Sequence, residues 1–172
     1  MGDWAPDGLS LVFPEAAFPV AAPDPADPDH VDVIEVALTT YLARVVLATN
    51  AQTNLSGEGA MTDDGSPVFS PLGDWLAFGR KQKVNDQWTP GRQLWLMRSD
   101  GSAARAITDD PLYNHSAFAW STDGAWLAYM RFRTDEPGAP AEIWLVGVDA
   151  AGQPAAAGPR RLAVGYLPEW LP

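Results

Sequence analysis

An aromatic residue followed by a tight turn that ends on glycine recurs along this chain. The copies read Trp4-Ala5-Pro6-Asp7-Gly8, Phe69-Ser70-Pro71-Leu72-Gly73 and Trp120-Ser121-Thr122-Asp123-Gly124, with a partial fourth at Trp170-Leu171-Pro172. The last three anchors stand 51 and 50 residues apart, whereas the first interval is 65 residues and holds a proline-rich insertion. A period of roughly 40–50 residues carrying strand-like segments is the mark of a β-propeller blade.

The segments between anchors repeat as well. Each glycine leads into an alternating apolar run, residues 9–13, 75–78 and 126–129, which reads as a strand launched by the turn. A second run follows at 33–38, 94–97 and 143–146, with Trp95 and Trp144 in matching places and Glu35 there in the first copy. Ser99-Asp100-Gly101 and Asp149-Ala150-Ala151-Gly152 then supply a turn, because Asp and Gly tolerate the left-handed backbone it needs; the first copy has Thr39-Thr40-Tyr41 there. A third run, 44–47, 105–107 and 160–162, closes each unit before the chain crosses a polar loop into the next anchor. Each unit thus has four antiparallel strands: A leading into the anchor, then B, C and D. The expected fold is all-β, a propeller with three four-stranded blades in a single domain over 1–172. Its blades are expected at about 4–58, 66–110 and 116–164, with a closing strand at 166–172. The tryptophans read as packing between neighbouring blades.

Composition narrows the function classes. A hydrophobic content of 47% and eight tryptophans argue for a packed core. A net charge of −11 repels phosphate backbones and anionic headgroups, which argues against nucleic acid and membrane surfaces as partners. No apolar stretch is long enough to insert across a bilayer. The start, Met1-Gly2-Asp3-Trp4, shows neither the basic region nor the apolar run of a signal peptide. The absence of cysteine removes disulfides, thiolate metal ligands and cysteine nucleophiles.

Ser70-Pro71-Leu72-Gly73-Asp74-Trp75-Leu76-Ala77-Phe78, with Leu94-Trp95-Leu96-Met97-Arg98-Ser99-Asp100-Gly101 and Ala106-Ile107-Thr108 after it, resembles the TolB-type β-propeller repeat. So does Trp120-Ser121-Thr122-Asp123-Gly124-Ala125-Trp126-Leu127-Ala128-Tyr129 with Ile143-Trp144-Leu145-Val146. The likeness is close over residues 60–170 and loose over 4–50. Such repeats occur in periplasmic binding proteins, in gating domains of serine peptidases and in some lyases, so the resemblance implies a fold more than an activity. It also implies a periplasmic or extracytoplasmic location.

The family usually closes six blades, so the resemblance implies half a ring here. The first unit has B, C and D with little of A, and residues 166–172 supply an A strand with no B. Three blades cannot close a ring, and open sheet edges promote association. The expectation is a homodimer about a two-fold axis, in which the strand carrying Tyr166, Leu167 and Trp170 completes the partner's first blade. The rival expectation is half of a longer propeller.

Loops between D and the next A belong at a channel mouth. Asp63, Asp64, Asn114, His115 and Tyr166 are therefore the candidate ligand-binding residues, and repeat alignment makes Asp64, His115 and Gly165 equivalent. No catalytic residues are expected: there is no Gly-x-Ser-x-Gly elbow, no phosphate loop and no dinucleotide fingerprint. Nothing in the sequence desolvates the Asp63-Asp64 or Asp109-Asp110 pairs to tune them. No metal and no cofactor are expected, because a metal site needs three or four converging ligands and the histidines are only His30 and His115. The acidic, proline-rich residues 23–30 lack a calcium-loop pattern and read as an extended surface insertion in the first blade. The expected function is a non-catalytic binding module that recognises a protein or small ligand through rim loops and channel mouth. The alternatives are a metal-assisted lyase or hydrolase using the channel, or the propeller part of a larger peptidase.

Overall fold

In each repeat the anchor glycine takes a left-handed backbone, with φ +69° at Gly8, +75° at Gly73 and +70° at Gly124, where a side chain would be strained. The glycine N–H closes the turn onto Ala5, Ser70 and Ser121 carbonyls at 2.8, 2.8 and 2.9 Å. The Ser70 and Ser121 hydroxyls accept the Trp75 and Trp126 N–H groups at 3.1 and 2.9 Å, fixing the start of the next strand. The chain therefore leaves each turn antiparallel to the strand that entered it.

The computed structural model describes residues 1–17, 39–84 and 88–170, and every regular element in them is a strand. The first unit holds β1 (Asp3–Trp4), β2 (Ser10–Ala17), β3 (Thr39–Val46) and β4 (Ala51–Asn54). The second holds β5 (Thr62–Phe69), β6 (Trp75–Gln82), β7 (Gln93–Arg98) and β8 (Arg105–Ala106). The third holds β9 (Tyr113–Trp120), β10 (Trp126–Arg133), β11 (Glu142–Gly147) and β12 (Arg160–Val164). Within each unit the strands pair antiparallel in chain order, and the first two units join through one parallel pairing, Thr40↔Asp63. The anchors share one register: Trp4↔Leu11, Phe69↔Leu76 and Trp120↔Leu127.

The first unit departs from the sequence reading. β3 pairs with all eight residues of β2, so Thr39-Thr40-Tyr41 begin a strand instead of a turn, and 44–47 overlaps its second half. The fourth strand is β4, reached through a turn with Asn50 at φ +54°. Residues 33–38, Glu35 among them, and the proline-rich insertion lie outside the described residues. Ala43 faces Phe13 where Trp95 faces Phe78 and Trp144 faces Tyr129. The A strands begin at Thr62 and Tyr113, earlier than 66 and 116, because they extend upstream of their anchors. Asp63, Asp64, Asn114 and His115 consequently sit in strands, not loops. The first unit also has an A strand of its own, β1, and residues 165–170 carry no assigned strand.

The core lies between units. Val12 and Leu42 of the first unit pack with Phe69, Leu76, Phe78 and Met97 of the second. Trp75, Leu94 and Leu96 of the second pack with Phe118, Trp120, Leu127 and Tyr129 of the third. The residues of β6 alternate between these clusters, so both faces of that strand are buried. Packing between units accounts for Trp75 and Trp120; the first and last anchors, Trp4 and Trp170, remain 55% and 38% exposed.

Candidate functional site

The A strands are bulged at one repeated place. The register shifts between Gly65 and Val68 in β5, and β9 is interrupted opposite the segment between Ala128 and Met130. Ser66, Ala117 and Leu167, spaced at the repeat period, have φ +54°, +51° and +49°. A bulge re-aims the residues it contains, and these three turn into one cavity of about 370 Å³. Val68, Phe118 and Met130 give it apolar walls, Ser66 and Ser116 supply hydroxyls, and Met1 to Asp3 close one side. Such a mostly apolar hollow with a few polar groups has the chemistry of a site for a small ligand or an inserted side chain.

None of the ligand-binding candidates singled out from the sequence lines this cavity; Asp63, Asp64, Asn114 and His115 form a polar frame in the strands β5 and β9 that lead to it. Asp64 is 1% exposed and takes Arg80 in a two-point contact, Nε to Oδ1 at 2.8 Å and Nη2 to Oδ2 at 2.6 Å. The Ser56 hydroxyl also donates to Asp64, at 2.6 Å. Arg80 lies over the Phe78 and Trp95 rings, 5.1 and 4.9 Å from their centroids. Asp63 accepts the Thr40 hydroxyl at 2.5 Å and Arg92 Nη2 on both oxygens at 2.8 Å, which ties the first unit to the second. Asn114 Oδ1 accepts the Arg92 N–H at 3.1 Å. Tyr166 is exposed and borders a separate hollow with Met130 and Pro137.

His115 is buried between the second and third units. Its Nδ1 donates to Arg92 O at 2.9 Å, and its ring stands 5.5 Å from that of Tyr129. Nε2 is buried without a partner among the described residues. Burial pushes the imidazole down to about 4, against the hydrogen bond to Arg92 O, so the ring is neutral near pH 7. Burial works to raise the Asp63 carboxyl, but the Thr40 hydroxyl and Arg92 guanidinium outweigh it and hold it below the ordinary carboxylate range. The carboxylates of this frame are thus desolvated, which the sequence did not disclose.

Besides Arg92, two arginines were missed in the sequence. Arg131, the equivalent of Arg80, is sandwiched between the Tyr113 and Trp144 rings at 3.9 and 3.8 Å, and pairs with Asp110 and with Glu142, the latter at 3.0 Å. The signal was present: each follows the B-strand aromatic, Phe78 or Tyr129, by two residues. Among the described residues no group of three His, Asp or Glu side chains converges as a metal site would require.

No protein-family model matches the chain, and no curated protein matches it. Solved structures do. A protein assigned as TolB from Agrobacterium tumefaciens superposes with TM-score 0.60 at 18% identity, over 92% of this chain and 47% of its own. An oligogalacturonate lyase in complex with manganese gives 0.55 at 21%, over 94% and 40%. A prolyl endopeptidase gives 0.57 at 18%, over 95% and 21%. The chain thus spans less than half the length of each. At such identities the likeness concerns the fold alone, and that fold is a TolB-like, all-β propeller architecture.

Proposed function

We propose that this chain is a non-catalytic binding module of TolB-like propeller type. Its three units act as three blades, half of a six-bladed ring, and a second copy supplies the other half. Recognition of a protein or small ligand takes place through the rim loops and the channel mouth. The observation that carries this reading is the convergence of three equivalent bulge residues, Ser66, Ala117 and Leu167, on one cavity. Asp63, Asp64, Asn114 and His115 hold the frame of the strands that lead to it, and exposed Tyr166 offers a contact at the neighbouring hollow. The share of the neighbours that the chain spans, 47% of the TolB-type protein, supports a half ring.

The test is a thermal-shift screen with short peptides and small organic acids. Ligands that raise the melting temperature of the unaltered chain are expected to have no effect on Ser116→Phe, which fills the cavity. Hits that protect both chains equally would place recognition elsewhere and sink the reading.

A further inference from the structure

Residues 165–170 carry no ladder of their own, yet three features place them as an A strand. The Gly165 N–H donates to Ala141 O at 3.0 Å, as the His115 N–H donates to Arg92 O at 2.8 Å. Leu167 shares the left-handed backbone of Ala117 and Ser66. The Trp170 indole donates to Ala119 O at 2.9 Å, as that of Trp120 donates to Val68 O at 3.3 Å. Tyr166 and Leu167 are 70% and 72% exposed, and among the described residues no B strand lies beside them. Strand β2 is the complementary case. It runs for eight residues, but β1 pairs with it only at Leu11 and Val12, whereas β5 and β9 each pair with their B strands at six positions.

The two segments that meet this register share a sequence pattern. Asp3-Trp4-Ala5-Pro6 and Glu169-Trp170-Leu171-Pro172 both read acid, tryptophan, aliphatic, proline. The internal copies, Val68-Phe69-Ser70-Pro71 and Ala119-Trp120-Ser121-Thr122, lack the acid. In the first unit that acid has a defined contact: Asp3 Oδ2 accepts the Phe69 N–H at 2.8 Å.

We infer that residues 165–170 of one copy add to β2 of a second copy as its A strand, displacing that copy's Asp3 and Trp4, and that the exchange is reciprocal. This rests on the half-ring reading. The repeat sets the register: Trp170 opposite Leu11, Glu169 opposite Val12 and Gly165 opposite Glu15. Glu169 then takes the Phe69 N–H that Asp3 holds. The incoming segment extends the pairing of β2 from Val12, where β1 stops, to Glu15, which adds ladder pairing. The displaced anchor, Trp4, is more than half exposed and gives up little burial.

Competition between two equivalent tryptophans has a signature that simple face-to-face contact lacks. The dimer dissociation constant of the full chain is measured by light scattering over a concentration series. Trp170→Ala is expected to weaken the dimer at least about tenfold. Trp4→Ala is expected to tighten it, because the competitor for β2 is gone. Should Trp170→Ala fail to fold, Glu169→Lys replaces it and also weakens the dimer. If both substitutions shift the constant in one direction, or neither shifts it, strand exchange is overturned while the half ring stands. A full chain that stays monomeric throughout overturns completion of the ring by a second copy, and the exchange with it.

Discussion

At the scale of single residues, the consequential side chain is His115. An ordinary histidine titrates at about 6.5, so between there and the value of about 4 that burial imposes, the unfolded chain binds a proton that the folded chain refuses. Stability from this site is therefore complete above pH 6.5 or so and falls as pH drops toward 4, by roughly 3 kcal/mol. The groups around the ring act in opposition, Arg131 lowering and Asp110 raising its affinity for the proton. His115→Gln is expected to flatten the dependence of urea unfolding free energy on pH across that window. An equally steep dependence in the variant would show that other groups carry it. Asp63 and Glu142 are held below the carboxylate range, so their contribution is present at neutral pH and is lost at lower pH.

At the scale of elements, the fit between units depends on small residues at the crossings. Gly91 leads into β7 and passes against the start of β9. A Cβ there would lie 2.2 Å from Tyr113 O and 2.5 Å from Tyr113 C, both backbone atoms that cannot rotate away. Its N–H also donates to Pro111 O at 3.2 Å, so the two segments are joined as well as close. Gly91→Ala is expected to cost about 1–3 kcal/mol through forced separation of the second and third units. The midpoint of urea unfolding reads this directly, and an unchanged midpoint would refute the crossing as described. Arg80 and Arg131 act within their own units, each joining an acid to aromatic faces. One partner of such a buried pair cannot be removed cheaply, because the other charge stays behind.

At the scale of the whole molecule, the two core clusters meet on opposite faces of β6, so no unit owns a core. Stability in stacked repeats comes from interfaces between neighbours, and here the middle unit supplies both. Unfolding followed by tryptophan fluorescence and by far-ultraviolet circular dichroism is therefore expected to give coincident curves. Separate transitions would mean that one unit folds without its neighbour. The same architecture leaves Trp4 and Trp170 partly exposed, since no further unit packs over them among the described residues. That exposure leaves apolar surface which the second copy proposed above would cover.

The repeat, the all-β class and most of the second and third units were legible in the sequence, because they depend on local chemistry. Glycine at a left-handed turn, alternation of apolar residues and Asp-Gly corners act within a few residues of one another. The first unit was misread at its turn because the insertion shifts the spacing on which the reading relied: Thr39-Thr40-Tyr41 and residues 44–46 belong to one strand, β3. The candidate site was legible only as a set of positions. Asp64 meets Arg80 across 16 residues and Asp63 meets Arg92 across 29, and whether such groups are solvated or buried depends on how units pack. Burial of His115 and the convergence of Ser66, Ala117 and Leu167 belong to the same category. Desolvation and cavity shape arise from contacts between units, and only the tertiary structure brings those surfaces together.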